Sequence, residues 1–274
     1  MPLNLDLIIE PETLESVLND SQLLIIDVCQ ASTYEQVHLP GAVHINPSEL
    51  VSGEAPATGK LPDIEKLELL FSRIGYDQDK HIVVYDDEGG GWAGRFIWTL
   101  DVIGHTRYSY LNGGIHAWYK EGHPVESDPV HATPTIVHLD TDNADCRATL
   151  VDVLASLEDD NCKIWDARSY EEYVGTKQNA ARAGHIPGAV NLDWLDTMDR
   201  SRNLRLLSFP ELEKKLSDIG IQSGNKIITH CQTHHRSGLT YLIGKALGLS
   251  IKAYDGSWSE WGNQDDTPVE TGES

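Results

Sequence analysis

The densest run of reactive side chains in this 274-residue sequence is Thr229-His230-Cys231-Gln232-Thr233-His234-His235-Arg236-Ser237-Gly238. An apolar, β-branched run ends at His230, and a segment with an apolar face starts near Ser237. Cys231 therefore opens a strand-to-helix loop at the carboxyl end of a strand, where open α/β sheets bind ligands. Backbone N–H groups at a helix start have no partner inside the helix, and the helix dipole adds partial positive charge there. A thiolate in such a loop is stabilised, which places its pKa below the roughly 8.5 of a free cysteine. His234, His235 and Arg236 reinforce the effect. The predicted chemistry is nucleophilic attack by Cys231 on an anionic substrate. The wider charge pattern agrees: Ile219 to Tyr254 contains no Asp or Glu, but holds Lys226, Arg236, Lys245, Lys252 and three histidines. A zinc site built from His230, Cys231, His234 and His235 does not fit, because closed zinc sites draw ligand pairs from separated segments. No metal or organic cofactor is expected.

The elements that position this loop occur twice. Leu-Ile-Ile-Asp27-Val-Cys29, Tyr34-Glu35 and His38-Leu-Pro40-Gly41-Ala42 return as Lys-Ile-Trp-Asp166-Ala-Arg168, Tyr170-Glu171 and His185-Ile-Pro187-Gly188-Ala189. His81-Ile-Val-Val-Tyr-Asp86 returns as Lys226-Ile-Ile-Thr-His230-Cys231, and Leu111-Asn-Gly-Gly-Ile-His-Ala-Trp118 as Tyr254-Asp-Gly-Ser-Trp-Ser-Glu-Trp261. These matches, in order and at a nearly constant offset, indicate one duplication and hence two tandem domains; a solenoid needs three or more short units. Within each copy, short β-branched runs (Leu23 to Val28, Ile82 to Tyr85, Ile164 to Asp166, Lys226 to His230) read as buried parallel strands. Pro62 to Ile74 and Ser208 to Ile219 carry helical spacing, with Asp63 and Ser208 as caps and Gly75 and Gly220 as stops. The expected fold class is α/β, two domains each with a parallel sheet flanked by helices. Residues 1–126 form the first, 127–143 an extended linker and 144–274 the second.

Composition bounds the partners. With 43 Asp and Glu against 21 Lys and Arg, the net charge is −22, which repels nucleic acid and anionic membrane surfaces. No apolar run is long enough to span a bilayer, and the first Lys or Arg is Lys60, so a secretory or transit signal is not expected. The expected location is cytoplasmic. The four scattered cysteines do not suggest a disulfide framework.

The chain resembles the tandem-domain rhodaneses, the thiosulfate and 3-mercaptopyruvate sulfurtransferases. The resemblance rests on Asp166-Ala-Arg168, His185-Ile-Pro187-Gly188-Ala189, the Cys231 loop and Gly256-Ser-Trp-Ser-Glu-Trp261, and covers essentially the whole chain. The Cys-Gln-Thr-His-His-Arg loop is similar to that of bacterial thiosulfate sulfurtransferases. The resemblance implies double displacement. The Cys231 thiolate takes the outer sulfur of a small anionic donor, thiosulfate or 3-mercaptopyruvate, and holds it as a persulfide. A thiophile such as cyanide, a thiol or a protein acceptor then removes it. It implies a substrate-binding role for Arg168; Arg236 is a second candidate for the anionic group, and Gln232, Thr233, His234 and His235 form the active loop. The basic loop favours thiosulfate as donor, with a mercaptopyruvate enzyme or a sulfur relay to a protein acceptor as the alternatives. The loop also resembles that of the cysteine phosphatases, but their C-x5-R is here C-x4-R, a cradle better sized for one sulfur than for a phosphate.

The first copy lacks this chemistry. Asp86 stands in the place of Cys231, followed by Asp87 and Glu88, and Cys29 stands in the place of Arg168. That domain is expected to be catalytically inactive. Its Gly89-Gly-Gly91-Trp-Ala-Gly94 matches a dinucleotide fingerprint, but it comes late in its domain and after three acids, which would repel pyrophosphate.

Overall fold

The computed structural model describes residues 3–141 and 145–272. The first copy runs β1 (Ile8–Ile9), α1 (Pro11–Glu15), β2 (Leu23–Asp27), α2 (Ala31–Tyr34), β3 (Val43–His44), α3 (Ile64–Arg73), β4 (His81–Tyr85), α4 (Gly91–Val102), β5 (Tyr108–Leu111) and α5 (Gly114–Lys120). The second runs β6 (Arg147–Ala148), α6 (Leu150–Ser156), β7 (Cys162–Asp166), α7 (Tyr170–Tyr173), β8 (Val190–Asn191), β9 (Met198–Asp199), β10 (Arg205–Leu206), α8 (Phe209–Asp218), β11 (Lys226–His230), α9 (Arg236–Ala246), β12 (Ser250–Tyr254) and α10 (Ser257–Trp261).

Two five-stranded sheets result, ordered β1-β5-β4-β2-β3 and β6-β12-β11-β7-β8. Every pairing within them is parallel. The repeated sequence is thus a repeated α/β fold. The strand runs hold because parallel strands are covered on both faces: all five residues of β4 are buried, as are four of five in β11. Helices α3 and α8 bury Leu67, Leu70 and Phe71, and Leu212 and Leu216, on single stripes. Both end where Gly75 (φ +70°) and Gly220 (φ +83°) adopt the left-handed conformation that only glycine enters without strain. In the second copy Ile164, Ile228, Tyr254, Trp258 and Trp261 pack into one core cluster beneath the loop.

The compact units do not follow the sequence boundaries. Residues 51–61, from the first copy, belong to the second unit, and residues 198–206, from the second copy, belong to the first. Hydrogen bonding explains this. Lys60 pairs with Glu260, and the Leu61 N–H donates to Asp255 Oδ2 at 3.0 Å. Arg205 donates to Glu10 at 2.7 Å and to Glu121 at 2.9 Å, and the Leu206 N–H donates to Asn112 Oδ1 at 2.9 Å. A continuous first domain over residues 1–126 therefore has to give up an eleven-residue arm. The described part of the expected linker, residues 127–141, contains no helix or strand; the expected junction at 143/144 lies outside the described residues. Among the described residues no helix is long and apolar enough to cross a membrane.

Candidate active site

Cys231 follows β11 directly and is 1% exposed. Its loop is fixed from α10 through backbone bonds. The Trp258 N–H donates to Cys231 O at 2.9 Å, the Ser259 N–H donates to Gln232 O at 2.9 Å, and the Cys231 N–H donates to Ser257 Oγ at 3.4 Å. Ser257 adopts φ +52° while fully buried, a strained state that persists only where its surroundings enforce it. The Gly256-Ser-Trp segment thus serves as the clamp of the loop.

Burial opposes ionisation of the Cys231 thiol. The Arg236 guanidinium, hydrogen bonds from the Ser237 hydroxyl and N–H, and His235 outweigh it, and the thiol sits below its ordinary range. Arg236 begins α9. Its two terminal nitrogens donate to Glu172 at 2.6 and 3.0 Å. Glu172 is 2% exposed and also accepts from Asn179 at 2.8 Å. Burial pushes its carboxyl up, but Arg236, Asn179 and Arg168 hold it down at about 2.

The other loop residues have separate surroundings. Gln232 donates to Asn179 O at 3.0 Å, and His235 packs edge-on against Trp194 with ring centroids 5.5 Å apart. His234 is buried, adopts φ +54°, and lies with Nδ1 2.7 Å from Ser237 Oγ. Thr233 carries the backbone against which Gly59 packs.

Arg168 is 1% exposed. Its Nε donates to both Asp166 oxygens at 2.9 and 3.0 Å, one Nη donates to Gly184 O at 2.8 Å, and the guanidinium lies 4.4 Å from the Trp258 ring centroid. Asp166 also faces His230 at 3.7 Å. The guanidinium thus ties the end of β7 to the clamp through Asp166 and Trp258. The acid-free stretch also reads differently in space. Lys226 starts β11, about 16 Å along the strand from Cys231, and pairs with Asp159. Lys245 lies about 14 Å along α9 from Arg236. Arg236, His235 and the helix start supply positive field at the sulfur.

Four contributors were not singled out from sequence. Ser169-x-x-Glu172 is a capping-box spacing that marks Glu172 as fixed, and the box forms. Ser237 adjoins the loop and could be suspected by proximity. Nothing in the sequence signals Gly59 or the role of Ser257.

The first copy shows what such a loop does around a fixed charge. Asp86 Oδ1 accepts the N–H groups of Glu88, Gly89 and Gly90 at 3.2, 3.1 and 2.8 Å, and Oδ2 accepts that of Ala93 at 3.0 Å. The amides that a nucleotide phosphate would need are held by the protein's own carboxylate.

Fold and site together define a tandem parallel α/β protein with an activated cysteine at the carboxyl edge of its second sheet. The Rhodanese-like domain profile matches residues 10–121 and 149–264, and the chain belongs to that family. It is 48% identical to a thiosulfate sulfurtransferase of Azotobacter vinelandii, over 97% of this chain and 98% of the relative. It is 46% identical to one of Pseudomonas aeruginosa over the same shares. Among solved structures, an anaerobic ergothioneine biosynthesis enzyme from Chlorobium limicola superposes with a TM-score of 0.86 at 20% identity, covering 98% of this chain and 71% of that one; that likeness concerns the fold.

Proposed function

We propose that the chain is a thiosulfate sulfurtransferase working through a persulfide on Cys231, with the second copy (144–274) catalytic and the first (1–126) silent. The observation that carries this is the buried Cys231 sulfur at a helix start beside Arg236, whose charge lowers the thiol's pKa. The names and full-length identity of the two bacterial relatives support thiosulfate as the donor. The Cys231 thiolate attacks the outer sulfur of thiosulfate; the S–S bond of the donor breaks, its electron pair leaves with sulfite, and Cys231-S-S⁻ remains. The loop amides stabilise the terminal sulfur anion as an oxyanion hole does an oxygen. Cyanide then attacks that outer sulfur and leaves as thiocyanate, returning the thiolate; a small thiol or a protein acceptor fits the same step. Arg236 meets the donor's anionic end, and Arg168 holds the site together through Asp166. The first copy's Asp86 cannot carry sulfur, and its carboxylate already fills its loop. Four cysteines without a disulfide among the described residues suit a reducing cytoplasm.

Intact mass after thiosulfate, before and after cyanide, with peptide mapping, tests this. Gain of one sulfur on Cys231 that cyanide removes is expected. A protein that gains none, or gains it on Cys29, Cys146 or Cys162, would overturn the proposal.

A further inference from the structure

The transfer scheme gives no role to the buried His234 that stands behind Ser237. Ser237, fully buried in the first turn of α9, gives Cys231 both its hydroxyl and its N–H as hydrogen bonds. Its Oγ also lies 2.7 Å from Nδ1 of His234, fully buried as well. A serine hydroxyl has one proton and can point it in one direction only. If Nδ1 carries a proton, it donates to Oγ, and the hydroxyl proton is left to face the sulfur. If Nδ1 is bare, it takes the hydroxyl proton, and the sulfur loses it.

The backbone supplies an independent sign that the imidazole matters. His234 adopts the left-handed conformation at φ +54°. In the first copy the same place in the loop is Gly89, at φ +97°, the residue that enters this region freely. The second copy keeps a strained histidine where glycine would satisfy the turn, and strain of this kind gathers at functional sites.

We propose that His234, acting through Ser237, is a positioning residue that holds the serine proton on the Cys231 sulfur and keeps that sulfur charged between turnovers. This rests on Cys231 being the sulfur carrier. The chain runs from Nδ1–H to Oγ and from Oγ–H to Sγ, and no proton passes along it. Arg236 and His235 face the same sulfur from the loop, while Asp166, Arg168 and His230 stand behind it at the ends of β7 and β11.

The test is the pH profile of Cys231 alkylation by iodoacetamide, read by mass and peptide mapping. Ser237→Ala and His234→Gly should each slow alkylation about tenfold on the acid side and converge with the parent at high pH. Together they should be no slower than Ser237→Ala alone. His234→Asn tolerates the left-handed backbone and keeps an N–H donor near Nδ1, and should retain the parent profile. His234→Gly slowing alkylation equally in the Ser237→Ala background, or an unchanged profile in either single variant, overturns the proposal. The unaltered protein gives a check that needs no variant: histidine nitrogen NMR should find His234 protonated on Nδ1, and a bare Nδ1 sinks it. The same samples treated with thiosulfate separate the two ideas, because failure to form a persulfide removes the transfer reading while the alkylation profile and tautomer still judge the hydrogen-bond chain.

Discussion

Arg236 has two partners that pull in different directions. One, in the proposed function, is the donor anion; the other is Glu172, buried and bonded to both ends of the guanidinium fork. Removing one member of a buried pair leaves the other uncompensated, which costs about 3 kcal/mol. Arg236→Ala should therefore lower both thermal stability and kcat/KM for thiosulfate. Adding Glu172→Gln removes the orphaned charge, so the double variant should recover most of the stability and none of the thiosulfate turnover; recovery of turnover would show that Arg236 acts only as a structural partner. The pH behaviour follows from Glu172 being held at about 2. A depressed carboxylate contributes stability in full above its unfolded value, roughly 4.3, and loses it as pH falls through about 2. The pair therefore stays intact from pH 5 to 9, and any change in turnover across that range should follow ionisation of Cys231.

At the scale of elements, the loop depends on backbone packing. A methyl group on Gly59 would lie 2.1 Å from Thr233 O, closer than any real contact. Gly59→Ala should displace the loop, destabilise the protein by about 1–3 kcal/mol and slow persulfide formation in stopped assays with thiosulfate; an unchanged rate would show that the loop does not depend on the arm. The first copy offers a matching test. Burial, with Glu88 adding to it, pushes the Asp86 carboxyl up to about 6 against the pull of its amides. A raised carboxyl means stability that is present below the unfolded value and lost as pH rises through about 6. The stability difference between the parent and Asp86→Asn should thus shift against the parent between pH 4 and 8 in thermal unfolding, and a flat difference would place the Asp86 pKa elsewhere. These cases also show what the sequence could reveal. The contrast between Cys231 and Asp86 is legible because residue type alone decides whether a side chain can carry sulfur. The strands and helices α3 and α8 were legible because period, cap and glycine stop agree over ten residues. Gly59 against Thr233 and the exchanged segments were not, since they join residues far apart in the chain through backbone atoms that leave no mark on composition. The surroundings of Arg168 were hidden for a related reason: a motif marks its neighbour Asp166, while only coordinates show that the guanidinium turns onto it.

For the whole molecule, duplication and charge set the boundary conditions. Two copies share one strand order, yet only one loop presents a sulfur; in the other a carboxylate completes the same set of amides. A chain of net −22 must still attract a dianion. Lys226 and Lys245 of the acid-free stretch do not solve this, because they lie far along β11 and α9 from the sulfur. Attraction is local, from groups such as Arg236, His235 and the helix start, while repulsion comes from the net charge of the whole chain. The two act over different distances, and salt separates them. At about 0.01 M the screening length is roughly 30 Å and the net charge reaches the donor; at 0.1 M it is roughly 10 Å and mainly the loop does; at 1 M it is roughly 3 Å and the loop too is screened. The value of kcat/KM for thiosulfate should therefore rise from low to intermediate sodium chloride and fall beyond it. Removal of the persulfide sulfur by a neutral thiol should respond far less. A decline from the lowest salt onward would mean that the local field dominates at every distance, and the repulsion expected of so acidic a chain would have no part in the encounter.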